Sequence, residues 1–193
     1  MLTRLKKAFI SPKQLRQLGV IGLNERNLSY ITRYNQRQYY PLVDNKLSTK
    51  LLAQDFGINT TNLLAQVRHQ AEIKQFSQAV SQFREGFVIK PANGSGGKGI
   101  LVITQVTPEG FVKASGELLN LHQINHHLSN LLSGLYSLNG NPDIALIEAL
   151  VTTAPNLAKY SYAGVPDIRV ILYHGYPVMA MLRLSTKASD GKA

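Results

Sequence analysis

The sequence predicts an α+β fold, and three observations carry that expectation. Short apolar runs at 87–91 and 100–106 flank a glycine-rich turn, as two strands around a loop do. Apolar residues recurring at spacings of three and four mark amphipathic helices before and after them. Residues 167–173 and 178–184 read as a hairpin around a His-Gly-Tyr-Pro turn. With 193 residues, 44% of them hydrophobic, the chain has enough core to fold without staples.

Composition excludes several classes of chemistry. The absence of cysteine rules out disulfides, thiolate metal sites and cysteine nucleophiles. No apolar run approaches the roughly 18 residues of a membrane span. The start lacks the apolar core of a secretory signal, so a cytoplasmic location is expected. The formal net charge of +10, from 21 Lys+Arg against 11 Asp+Glu, raises the question of nucleic acid. These basic residues are spread along the chain with no recognition motif, and no nucleic-acid partner is expected. The basic start at 3–10 reads as an ordinary amphipathic first helix.

Taken in order, Ser11 before Pro12 starts a helix, because serine caps free N–H groups and proline is tolerated at the first helical position; Gly19 ends it. Leu28, Ile31 and Tyr34 share one face of a second helix at 24–34, and 35–41 is a connector. Asp44 is placed to cap a third helix over 45–55, closed by Gly57. A strand is expected within 60–67, then a helix carrying Ile73, Phe76, Val80 and Phe83 on one face. Beyond the glycine turn come a strand at 111–114, a turn at Ser115-Gly116, and a helix built on Leu121, Ile124, Leu128, Leu131, Leu132 and Leu135. The break at 139–143 reads as a boundary between lobes, giving an N-terminal helical segment (1–43), a first lobe with the glycine loop (44–142) and the start of a second lobe (143–193). A buried strand at 144–150 opens that second lobe.

The glycine turn carries the chemistry. Gly94, Gly96, Gly97 and Gly99 let main-chain N–H groups approach an anion closely, and Lys90 and Lys98 add positive charge. Gly94-x-Gly96-x-x-Gly99 matches a dinucleotide fingerprint, but a strand follows where that motif needs a helix. A P-loop fails because Ala92 and Gly99 stand where it needs Gly and Ser or Thr. A kinase flap fails because the strand lysine and Asp55-Phe-Gly57 come before the glycines instead of after them.

The remaining order resembles the ATP-grasp superfamily of carboxylate-amine ligases. Asp44-Asn-Lys-Leu-Ser-Thr-Lys50 with Gly57-Ile58 resembles its Asp-Lys helix, and Val88-Ile-Lys-Pro91 with the glycine turn resembles its lysine strand and phosphate loop. Leu146-Ile-Glu-Ala149 resembles the interlobe hinge, and Gly164-Val-Pro-Asp-Ile-Arg-Val170 and Pro177-Val-Met-Ala-Met-Leu-Arg183 complete the set. Order and spacing are most similar to RimK-like, alpha-L-glutamate ligase-like proteins.

The resemblance implies two lobes of antiparallel sheet with helices and ATP between them. It also implies an acyl phosphate formed on a carboxylate and attacked by an amine, with glutamate suggested only by the name of the branch. Carried over by position, Lys46 and Lys90 would contact the nucleotide and its phosphates, with Ser95, Gly96, Gly97 and Lys98 covering the triphosphate. Glu148 and Ala149 would line the adenine pocket, Asp167 would meet the ribose, and Arg169 and Arg183 would neutralise phosphate or the substrate carboxylate. Asn24, Arg26, Asn27, Asn35 and Arg37 form a polar constellation with no assigned role.

Such ligases continue past the Arg183 strand into residues that hold magnesium. The second lobe is therefore expected to be incomplete and the Mg2+ ligands to lie beyond Ala193. The implied partners are ATP and a carboxylate and amine substrate pair, with a homo-oligomer left open. The alternative is a non-catalytic nucleotide-binding or interaction fragment of such a protein. His122, His126 and His127 lack the companions of a zinc site and read as a solvated or packed cluster.

Overall fold

The computed structural model describes residues 10–162 and 164–187, and the chain divides into two compact units after Pro41. The helix expected at 3–10 lies, but for Ile10, outside the described residues. Among these residues no helix is long and apolar enough to cross a membrane.

In the first unit α1 (Pro12–Gln17) begins as its sequence requires. Gln14 N–H donates to Ser11 Oγ at 3.2 Å while Ser11 N–H donates to Gln14 Oε1 at 3.0 Å, a reciprocal capping box. Helix α2 (Leu23–Glu25) runs on into a wider π-helical segment, Arg26–Thr32. That winding carries the expected apolar stripe out of line. Leu28 is 70% exposed, and Tyr34 is exposed as well.

The chain continues through a short 3-10 turn (Arg37–Tyr39) and α3 (Tyr40–Asp44) into α4 (Lys46–Asp55). The cap of α4 is Asn45, not Asp44, because Asp44 is already the last residue of α3. Asn45 Oδ1 accepts from Leu47 N–H at 2.9 Å and Ser48 N–H at 3.1 Å. Gly57, at φ 67°, closes the helix as expected.

A sheet of β1 (Leu63–Val67), β2 (Phe87–Pro91), β3 (Leu101–Thr107), β4 (Gly110–Lys113), β5 (Leu118–Leu119) and β6 (Ala145–Ala149) follows, antiparallel throughout in the order β1-β6-β2-β3-β4-β5. The last strand to be made therefore lies between β1 and β2. The division expected at 143 falls before a strand that shares its sheet with 63–119.

Alternation gives the sheet two different faces. Phe87, Ile89, Ile103, Ala145 and Ile147 point to the main core, which α5 (Glu72–Val80) covers with Ile73, Phe76 and Val80 and α6 (Leu121–Leu132) with Ile124, Leu128 and Leu131. Ala92 and Leu146 point the other way and pack with Leu47 of α4 and with Leu63. A register shift between Leu63 and Ala65 lets β1 serve both faces: Leu63 joins the α4 side, while Ala65 and Val67 join the main core. Helix α6 stops short of Leu135, which is 65% exposed, because Gly134 turns the chain at φ 86°.

After the short α7 (Pro155–Ala158), β7 (Asp167–Tyr173) and β8 (Tyr176–Arg183) form the expected hairpin. Its two-residue turn is His174-Gly175, both at positive φ, so Tyr176 and Pro177 belong to the strand and not to the turn. Tyr162 N–H donates to Ser185 O at 3.0 Å, and the Ser161 and Ser185 hydroxyls meet at 2.7 Å, tying the hairpin's end to the connection before it.

Phe87 is fully buried and meets Phe83 and Phe111 edge to face at centroid separations of 5.4 Å and 6.1 Å. Phe87→Ala is expected to lower stability by about 3–5 kcal/mol, read as a fall in the urea midpoint with little change in slope.

Candidate functional site

The site is built where α4, the β2–β3 turn and the α4-facing side of the sheet converge. The first residue of α4, Lys46, is half-buried; its backbone N–H donates to Ala92 O at 2.9 Å, and its ammonium bonds the Gly94 carbonyl. Burial holds the Lys46 ammonium below its ordinary pKa, Lys90 adds to this, and Asp143 opposes it. One turn on, Lys50 shares the same helix face and is buried. It bonds the Thr61 carbonyl, donates to Thr61 Oγ1 at 2.9 Å and pairs with Glu148 Oε1 at 3.2 Å.

Glu148, 3% exposed on β6, is the hub of these contacts. Lys90 Nζ from β2 reaches Glu148 Oε2 at 2.6 Å, and Thr61 Oγ1 donates to the same oxygen at 2.6 Å. Glu148 Oε1 has the Lys50 charge beside it without a well-directed hydrogen bond. Burial raises the Glu148 pKa, but bonds from Lys90 and Thr61, the Lys90 charge and the adjoining Lys50 ammonium together hold its carboxyl below the usual range.

The glycine turn is held at both feet and open at its tip. At the N-terminal foot, Asn93 N–H donates to both oxygens of Asp143 at 3.1 Å, Asn93 Nδ2 donates to Asp143 Oδ1 at 2.9 Å, and Gly94 bridges to Ser137. At the C-terminal foot, His127 Nε2 lies 3.1 Å from the Gly99 carbonyl, and a Cβ at Gly99 would stand 2.5 Å from Tyr136 Cγ. Between them Ser95, Gly96, Gly97 and Lys98 are exposed. Lys98 N–H donates to Ser95 O at 3.2 Å and Ile100 N–H to Gly97 O at 3.4 Å. The N–H groups of Gly96, Gly97 and Gly99 have no partner among the described residues. Lys46, Lys90, Pro91, Ile100 and the turn line a small pocket of about 150 Å³. Unpaired N–H groups and two ammonium groups around one hollow suit a polyphosphate.

A profile of the sugar-transfer associated ATP-grasp family matches residues 25–193. The chain belongs to this family. No curated protein matches it. Among solved structures, the D-alanine-D-alanine ligase of Helicobacter pylori is similar at 22% identity and a TM-score of 0.38, over 57% of this chain and 26% of that one. The chain thus spans about a quarter of the length of that structure.

In this ATP-grasp chain Lys46, Lys90, Ser95, Gly96, Gly97 and Lys98 come together around the one pocket. Glu148 is near them but turned into its lysines, and Ala149 N–H is occupied by Asn62 O at 2.9 Å. Asp167 and Arg183 face each other across the hairpin, Arg183 Nε donating to Asp167 Oδ1 at 2.7 Å and Nη2 bonding Oδ2. That fork holds the Asp167 carboxyl below its usual range and raises the Arg183 guanidinium. Arg169 lies two residues along β7, exposed. Among the described residues no group of three or more His, Asp or Glu side chains gathers as metal ligands.

Lys50, Thr61, Asp143 and His127 were not singled out for this site by sequence reasoning. Only Lys50 left a signal, its position four residues after Lys46.

The lowered Glu148 pKa fixes the sign of a pH effect. Stability from the ionised carboxylate is fully present above its ordinary value of 4.5 and is lost as pH falls through the lower folded value. Glu148→Gln, which strands two lysines, is expected to cost about 3 kcal/mol at neutral pH. The gap between variant and wild type should narrow below about pH 4 in urea unfolding at a series of pH values.

Proposed function

We propose that this chain binds ATP with its triphosphate beneath the glycine turn, and that it serves an ATP-dependent ligase that activates a carboxylate as an acyl phosphate for attack by an amine. The observation that carries the reading is the cluster of unpaired N–H groups at Gly96, Gly97 and Gly99 over a pocket lined by Lys46 and Lys90. Membership of an ATP-grasp family supports the same nucleotide.

In this reading Lys90 and Lys46 act as point charges on the phosphates, and Lys98 adds charge from the turn. Lys90 exchanges its place on Glu148 for the phosphate, while Lys50 and Thr61 keep Glu148 partnered. The turn excludes water that would hydrolyse the activated carboxylate. The base lies beyond the end of β6 at Ala149, Asp167 orients Arg183 and meets the ribose, and Arg169 and Arg183 face the developing anionic charge. The lobes are then 42–149 and the region from the β7–β8 hairpin onward, with Mg2+ neutralising phosphate charge when bound.

The RimK-like assignment rests on the sequence motifs alone, and glutamate as the added amino acid on the name of that branch alone. The family's description associates it with sugar transfer, which supports an acceptor carried on a sugar.

Calorimetric titration of ATP into wild type and Lys90→Ala tests the phosphate assignment. The variant is expected to bind at least tenfold more weakly, with adenosine affinity unchanged. Equal ATP affinity in the two proteins removes Lys90 from the site.

A further inference from the structure

The C-terminal foot of the glycine turn rests on a histidine that no part of the proposed reaction uses. His127 stands on α6, inside a helix whose Ile124, Leu128 and Leu131 are fixed in the main core, so its ring is carried by one of the most buried elements of the fold. The ring lies 5.6 Å from that of Tyr136 at an interplanar angle of 32°, and Nε2 is 3.1 Å from Gly99 O. A carbonyl only accepts, so Nε2 carries the proton and donates. Tyr136 closes the other side of Gly99, whose φ of 75° and lack of a side chain are both required there.

We infer that His127 is a positioning residue for the phosphate-binding turn, fixing the Gly99–Ile100 peptide through the Gly99 carbonyl and so holding the free N–H groups of Gly97 and Gly99 in place for the nucleotide's phosphates. The same peptide's N–H closes the second turn of the loop on Gly97 O, so one planar unit is pinned at both ends. The core side of the sheet thereby sets the geometry of a loop that works on the other side. Burial holds the His127 imidazole below its ordinary pKa, against the Gly99 carbonyl, which favours the cation, while His126 adds to the lowering. Both the neutral Nε2–H form and the cation donate to Gly99, so the hold does not depend on the charge.

This inference rests on the ATP reading only for its consequence, not for its contact. The test compares wild type, His127→Phe, which keeps a ring beside Tyr136 without a donor, and His127→Gln, whose amide restores one. Amide hydrogen exchange at Lys98 and Ile100, whose N–H groups are bonded within the turn, is expected to quicken about tenfold in nucleotide-free His127→Phe and to stay near wild type in His127→Gln. ATP affinity should fall about tenfold in the first variant and less than threefold in the second, with adenosine binding unchanged in both. Unchanged exchange in His127→Phe, or equal acceleration in the two variants, overturns the inference. A wild-type protein that binds no ATP while exchange follows the expected pattern overturns the ATP reading and leaves the hold on Gly99 standing.

Discussion

A single buried carboxylate ties together the parts of this molecule that have to stay in register. Glu148 sits on the strand between β1 and β2, takes Lys90 from one neighbour, Thr61 from the approach to the other, and Lys50 from the helix above. Taking these charges out of water costs several kcal/mol per ion, so the arrangement is not there for stability alone. It fixes where the ammonium of Lys90 can go. With Lys46 directed at the carbonyls of Ala92 and Gly94, two cations are set side by side next to the glycine turn. Lys46 responds to Lys90 as like charges do. An anion placed between them relieves that repulsion.

The two faces of the sheet divide the work. One carries phenylalanines and aliphatic side chains against α5 and α6 and gives the unit its core. The other is smaller, part apolar and part ionic, and carries the site. Strand β2 supplies both from alternate residues, with Phe87 and Ile89 inward and Lys90 toward Glu148. A one-residue slip of β2 would send the lysine into the core, so the packing of Phe87 and Ile89 specifies the register that the site needs.

Much of this was legible in the chain because it depends on local periodicity. Strand β2, α5 and the hairpin follow from a short apolar run, from three-and-four spacing and from two apolar runs around a turn that begins at His174-Gly175. The cap of α4 was displaced by one position because Asp44 and Asn45 are both good caps, and only the presence of α3 decides between them. The wide winding at Arg26–Thr32 has no periodic signature, so an ordinary helix was the expectation. Of the site, the turn and its lysines could be read directly. Lys50 was not, since a lysine inside a helix reads as a solvent-facing charge until Glu148, far along the chain, is brought against it. His127 is similar: its spacing speaks of helix faces, while its partner belongs to a loop made earlier in the chain. The Asp167 and Arg183 fork depends on hairpin register, which places the two residues directly opposite.

Because the turn is fastened at Gly94 and again at Gly99, it is built as a short tongue and not as a hinged lid. The free part is residues 95–98, and a chain of four residues spans at most about 14 Å when fully extended. Folded back between two fixed feet, it reaches out about half of that. Such a tongue matches the width of a phosphate chain and falls well short of a whole nucleotide. In the proposed ATP complex, enclosing the base and sugar would therefore be left to other parts of the protein, and the tongue's own contribution to selectivity would be blind to the identity of the base.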